Sequence, residues 1–195
     1  MSDPNTLVQR QSDSRVAREW VKILSKYREP NPLRSSFELV VTVGPFVILW
    51  VLAWWSLSVS YWLTLSLSMC NAGFLLRLFA IQHDCGHGAF FNSRTASDWL
   101  GRVLGVLTLT PYDVWRRTHS IHHSSAGNRL IYRLYRHPIT LFCLGPGYLF
   151  FLQNRLPLGL TGKARYWVSA MLTNAAIVAA LAIISYFGGL MPILL

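Results

Sequence analysis

The stretch "LVVTVGPFVILWVLAWWSLSVSYWLTLSLSMCNAGFLL", residues 39–76, contains no charged side chain and is bounded by Glu38 and Arg77. A helix needs about 20 apolar residues to cross the hydrocarbon core of a bilayer, so this run is too long for one crossing and suits two. We read one span at 39–57 and a second at 60–81, joined by the uncharged connection "SLSVS". Lys22, Lys26, Arg28 and Arg34 precede the pair, and Arg94, Arg102, Arg116 and Arg117 follow it. Basic residues collect on the cytoplasmic side of membrane spans, so both outer flanks are expected to be cytoplasmic and the short turn external.

The rest of the chain agrees with a bilayer as solvent. Of 195 residues, 52% are hydrophobic and only 13% charged, which is more apolar than an ordinary soluble domain. The net charge of +10 is spread among apolar segments, where basic groups hold loops against anionic lipid; we do not read it as a nucleic-acid site. The N-terminus lacks the apolar run of a cleavable signal. Cys70, Cys85 and Cys143 show no paired spacing and read as small core residues.

Upstream of the hairpin, "SRVAREWVKILSKYR" (14–28) puts Val16, Trp20, Ile23, Leu24 and Tyr27 on one helical face. It predicts a basic amphipathic helix, lying on the bilayer surface or packed on a soluble face of the same protein. Downstream, "SDWLGRVLGVLTLTP" (97–111) is amphipathic and short, and is read as interfacial. The apolar segment 138–153 is broken by "GPG" at 145–147, which predicts a bent, interfacial or re-entrant piece. After Arg165 no charge remains, and a third span is placed at 166–186. The expected architecture is all-α: a polytopic membrane protein of transmembrane hairpins with a cytoplasmic histidine-rich cap. Residues 1–38 form a cytoplasmic N-terminal segment and 39–195 the membrane domain.

The histidines carry the chemistry. Five of the six fall in "HDCGH" (83–87) and "THSIHH" (118–123). His83 and His87 are four apart, and His119, His122 and His123 stand at i, i+3 and i+4, so each set shares one face of a helix. Polar groups at a membrane boundary are costly unless paired or coordinated, and two sets at this spacing point to metal. His137, alone before a proline, reads as structural. Neutral imidazole suits iron, zinc, copper or nickel, and more than four such nitrogens suit two ions better than one. A membrane zinc protease of the HExxH type needs a glutamate beside the first histidine, where this chain has Asp84; that reading, like a membrane metal-binding or transport protein, is the weaker alternative.

Taken together, "HDCGHGAFFNSR", "THSIHHSSAGN" and "YRLYRHP" behind a helical hairpin resemble the first two histidine boxes of the membrane fatty acid desaturases of the acyl-lipid type. The resemblance covers most of residues 39–186. It implies a non-haem di-iron centre that uses O2 as co-substrate and two electrons to introduce a cis double bond into an acyl chain, with His83, His87, His119, His122 and His123 as iron ligands. Asp84 would orient an imidazole from behind, or simply sit on the helix surface or pair with an arginine. The implied partners are a membrane lipid or fatty acyl substrate and a ferredoxin or cytochrome b5-like electron donor. Arg116 and Arg117 would serve as a cytoplasmic anchor or meet headgroups or an acidic donor. The expected location is a bacterial inner membrane, with the N-terminus and both histidine clusters cytoplasmic. Alkane hydroxylases and carotenoid hydroxylases or ketolases share this layout and form the alternative activity.

The pattern departs from that family in two places. The third box, HxxHH, which family members carry after two further spans, does not occur in the sequence. With the apolar ending "MPILL" this predicts a C-terminally incomplete chain. A polar stretch that relatives carry before "RLYRHP" is also missing, which predicts a lost loop at 128/129.

Overall fold

The structure, a computed structural model, describes residues 16, 19–23, 29–125, 136–157, 160 and 164–189. Among them all regular structure is helical. The expected junction at 128/129 lies outside the described residues, as does most of the helix expected at 14–28, of which residues 19–23 are helical and exposed.

Helix α1 (Pro32–Ser56) starts earlier than the apolar run because Asn31 caps it: its side-chain oxygen accepts from the Leu33 and Arg34 amides at 3.0 and 3.2 Å, and Pro32 occupies a first-turn position where no amide hydrogen is needed. Helix α2 (Tyr61–His87) returns antiparallel to it, and the buried hydroxyls of Ser56 and Thr64, 2.7 Å apart, close the turn. At about 1.5 Å per residue α2 is roughly 40 Å long, against about 30 Å of hydrocarbon, so it is long enough to carry its last turns beyond the apolar layer. His83 and His87 ride on those turns. Gly88 ends the helix with φ of 73°, a left-handed conformation that glycine adopts without steric cost.

Helix α3 (Arg94–Leu107) is capped by the Ser93 hydroxyl, which accepts from the Ala96 amide at 3.3 Å. The sequence placed this element at 97–111; the cap draws its start back to Arg94. It is too short to cross a bilayer. Ser97, Gly101, Leu104 and Gly105 are buried on one side, while Trp99, Val103 and Leu107 form an exposed apolar stripe on another. Helix α4 (Tyr112–Ser125) carries the second histidine cluster. Between α4 and the last helix, the turns Thr140–Leu144 and Tyr148–Gln153 are wider π-type turns on either side of Gly145–Gly147; Pro146, with no amide hydrogen, interrupts the regular ladder there. Helix α5 (Ala164–Gly188) is tied back by Arg155, whose guanidinium donates to Asn174 Oδ1 at 2.8 Å and to the Leu109 carbonyl.

Helices α1, α2 and α5 are long and apolar enough to span a membrane. Among the described residues the main buried cluster is small: Leu78, Ile81, Cys85, Phe90, Leu104 and Tyr112, flanked by Leu39, Val43 and Phe46, with Val114, Leu160 and Ala170 forming a second. Most large apolar side chains of the spans point outward instead, among them Val40, Ile48, Trp62 and Leu172. Such a surface suits lipid, which competes for no hydrogen bonds. For the same reason only Cys85 of the three cysteines is a core residue; Cys70 and Cys143 are exposed.

Candidate metal centre

Two helices bring the histidines together. His83 and His87 stand one turn apart on α2 with ring centroids 4.5 Å apart, and His119 of α4 lies 4.9 Å from His83 and 5.3 Å from His87. Each of these three offers a nitrogen within 4.8 Å of the other two. His123, one turn further along α4, places its Nε2 3.0 Å from that of His119, which is itself 3.3 Å from His87 Nε2. His122 stands at the rim, its ring 6.5 Å from His119 and 6.2 Å from His123. His137 is exposed and is not in the cluster.

This donor set fits a transition metal. Two imidazole nitrogens bound to one ion at about 2.1 Å come to rest roughly 3 Å apart, close to the separations seen at His119. His119 Nε2 meets both neighbours with one hydrogen-bonding site, a proton or a lone pair depending on the tautomer, so two full hydrogen bonds do not form there, whereas a shared ion would satisfy all three nitrogens. Burial, and then the neighbouring imidazoles led by His83 and His123, hold the His119 pKa below the usual histidine value. Its ring is therefore kept in the neutral form that a metal requires. Asp84 lies 3.4 Å from His83 Nδ1, the position from which a carboxylate fixes the tautomer that presents Nε2. Among the described residues it pairs with no arginine.

What supports the cluster was not apparent from the histidine pattern. Trp115, one turn before His119, stacks on its ring at 4.8 Å with 15° between planes and lies 5.6 Å from His83. Its indole fits against Gly86, where a Cβ would stand 2.7 Å from Trp115 Cζ3. The single hydroxyl proton of the fully buried Tyr112 is shared between Asp98 Oδ1 at 2.7 Å and the Cys85 carbonyl at 3.0 Å, joining α4 to α3 and to the histidine-bearing turn of α2. Burial and the Asp98 carboxylate push its pKa up, so it remains a donor. Asp98 also holds Arg94 at 3.1 Å and Arg116 at 3.2 Å. Arg116, read from sequence as an anchor or headgroup contact, is half-buried and pairs with Asp98, whereas Arg117 is exposed. Asp113, at the start of α4, is clamped by Arg102 at 2.9 Å and Arg165 at 2.5 Å. A cavity of about 550 Å³ opens beside the cluster, lined in part by His87, His119, His123, Arg117 and Arg165. The signals for these supports lie in spacing: Tyr112, Trp115 and His119 share a face of α4, and Gly86 lies inside the first histidine cluster.

The comparison with known proteins follows the same lines. The family described as fatty acid desaturase matches residues 56–195. A fatty acid desaturase of Bacillus subtilis is 40% identical over 187 aligned positions, which take in 83% of this chain and 53% of the relative. An sn-1 acyl-lipid omega-3 desaturase (ferredoxin) of Synechocystis is 45% identical over 51 residues, 26% of this chain and 14% of that protein. An endoplasmic reticulum omega-3 fatty acid desaturase of Nicotiana tabacum is 32% identical over 110 residues, 56% of this chain and 26% of the relative. No solved structure matches. The chain spans about half the length of the Bacillus relative and less of the other two. The match runs through both histidine clusters and the helices that bring them together, and the chain belongs to the fatty acid desaturase family.

Proposed function

We propose that this protein is a membrane acyl-lipid desaturase, introducing a cis double bond into an acyl chain at a non-haem di-iron centre with O2 as co-substrate. The observation that carries this reading is the meeting of His83, His87 and His119 nitrogens, within 4.8 Å of one another, in a chain of this family. His83, His87, His119, His122 and His123 are the ligands the chain contributes. Iron bound there supplies the O2 activation and one-electron chemistry needed to attack an unactivated C–H bond. The overall change balances as –CH2–CH2– plus O2, two electrons and two protons giving –CH=CH– and two waters.

The chain's own residues contribute position and proton inventory. Asp84 holds the His83 tautomer, and the depressed His119 pKa keeps that ring unprotonated. The length of α2 sets the cluster at the edge of the apolar layer, where an acyl chain lying in the leaflet can reach it. Basic flanks on both sides of the hairpin favour a cytoplasmic placement of the N-terminal segment 1–38 and of the cluster, in a bacterial inner membrane, with 39–195 as the membrane domain. A ferredoxin or cytochrome b5-like protein is the electron donor; the name of the Synechocystis relative includes ferredoxin.

Expression of the full-length gene in a bacterial host, followed by gas chromatography and mass spectrometry of fatty acid methyl esters, tests the proposal. A new cis-unsaturated acid, lost in His119→Ala, is the expected result. Hydroxylated acids, alkanols or carotenoids instead of an olefin would transfer the chain to the hydroxylases, and iron-loaded protein with unchanged acyl chains would remove the desaturase reading.

A further inference from the structure

Trp115 occupies a place that the ligand pattern does not explain. Its indole lies between the two histidine-bearing helices and touches both: stacked on His119 of α4 at 4.8 Å and 15°, tilted against His83 of α2 at 5.6 Å, and edge-on to Phe79 at 5.5 Å. It reaches α2 because residue 86 has no side chain; a Cβ at Gly86 would lie 2.7 Å from Cζ3 and 3.4 Å from Cη2 of the ring. An imidazole on a helix is free to turn about its two side-chain torsions unless packing fixes it. The nitrogen contacts of His119 with His87 and His123, at 3.3 and 3.0 Å, require one ring orientation, and the flat indole face selects it.

We propose that Trp115 is a positioning residue of the metal centre: seated against Gly86, it sets the register of α4 on α2, and by stacking it fixes the His119 ring so that Nε2 faces His87 and His123. The proposal rests on the metal-binding reading for its consequence but not for its geometry. Without Trp115 the two clusters still lie on neighbouring helices, but His119 can rotate and its nitrogen no longer points at a shared site. Residues behind a metal ligand that hold its orientation are worth roughly 10- to 100-fold in metal affinity.

The test uses the purified full chain in detergent micelles with labelled histidine, first free of metal. An imidazole stacked on an indole is shielded by the ring current, so the His119 signals, assigned by their loss in His119→Gln, should lie upfield of the other histidines. Trp115→Ala should return them to the ordinary position, and Trp115→Phe, which keeps a flat ring, should leave most of the shift. Titration with Co2+, followed by visible absorption, should then show about 10- to 100-fold weaker binding in Trp115→Ala and recovery to within a few-fold in Trp115→Phe, with helix content by circular dichroism unchanged in both. Unshifted His119 signals in the parent protein would overturn the proposal. So would a Trp115→Ala variant that binds Co2+ like the parent. If the parent protein binds no Co2+ while the His119 shift appears and vanishes as described, the metal reading fails and the positioning of His119 by Trp115 stands.

Discussion

The ring of Tyr112 fills the space that a side chain on Gly101 would need: a Cβ there would come within 3.0 Å of Cε2, Cδ2 and Cζ of the tyrosine. Tyr112 is fully buried and hydrogen-bonded through its hydroxyl, so it cannot move aside without breaking those bonds. Gly101→Ala should therefore lower stability by about 1–3 kcal/mol through overpacking. Gly44→Ala and Gly73→Ala, in the hairpin, meet nothing within 4 Å and should be neutral or stabilising, since alanine favours helix over glycine by about 0.8–1.0 kcal/mol. Thermal unfolding in detergent separates the sites. A Gly101→Ala protein as stable as the hairpin variants would mean that α3 and α4 do not approach as described.

The hairpin was legible because a charge-free run is a property of composition, and lipid selects on composition. The ends of the helices were legible only in part: Asn31 and Ser93 caps moved two starts by several residues, since a cap acts locally and is masked by the longer apolar period. In the site, the i, i+4 spacing of His83 and His87 announced a shared face. The spacing of Tyr112, Trp115 and His119 puts them on one face of α4, but what that face and Gly86 and Asp98 meet depends on how α4 crosses α2 and α3, and no short-range pattern encodes a crossing. Asn128 and its neighbours lie outside the described residues, so the expected lost loop remains a sequence expectation.

Asp113 should make stability depend on acid. Burial pushes its carboxyl pKa up, but hydrogen bonds from Arg102 and Arg165 outweigh this and hold it below the ordinary value. A group whose folded pKa is depressed contributes stability that is fully present above the unfolded pKa, near 4, and is lost as pH falls through the folded pKa. The parent protein should accordingly lose thermal stability below about pH 4 more steeply than Asp113→Asn. At pH 7 that variant should be less stable by about 2–3 kcal/mol, less than for a fully buried pair because the Arg165 side chain is 58% exposed and water screens it. Unfolding curves from pH 3 to 7 show whether the two proteins converge in acid, as this requires.

Metal retention should rank the histidines by their place in the cluster. His119 touches His83, His87 and His123, whereas the His122 ring stands 6.5 Å from it at the rim. His119→Ala should abolish tight Fe2+ binding, with losses of 100-fold or more on the order expected for removing a central ligand. His122→Ala should have the smallest effect of the five alanine variants. Iron content after desalting, read against protein by atomic absorption, gives the order. Equal losses at 119 and 122 would show that the rim histidine swings inward when iron binds.

Leu109 sits just past α3 with φ of 54°, a left-handed conformation that costs a residue with a side chain about 1–2 kcal/mol. Helices often end on such a residue, usually glycine, and here the Leu109 amide returns to the Val106 carbonyl at 3.2 Å while the Thr110 amide reaches Gly105 at 2.7 Å. The conformation is held from outside the helix as well, since Arg155 donates to the Leu109 carbonyl and is fixed to Asn174 of α5 in both directions, at 2.8 and 3.2 Å. Leu109→Gly should relieve the backbone, but glycine's greater freedom in the unfolded chain offsets about 0.5–1 kcal/mol, so this variant should stay within roughly 1 kcal/mol of the parent. Leu109→Ile places a β-branched side chain in the same region, where such residues are outliers, and should cost about 1–2 kcal/mol. Arg155→Ala removes the outside hold and should bring the glycine and isoleucine variants closer together. Thermal unfolding of the parent, the three single variants and the two residue-109 variants combined with Arg155→Ala checks the series, and an isoleucine variant as stable as the parent would show that residue 109 is not left-handed.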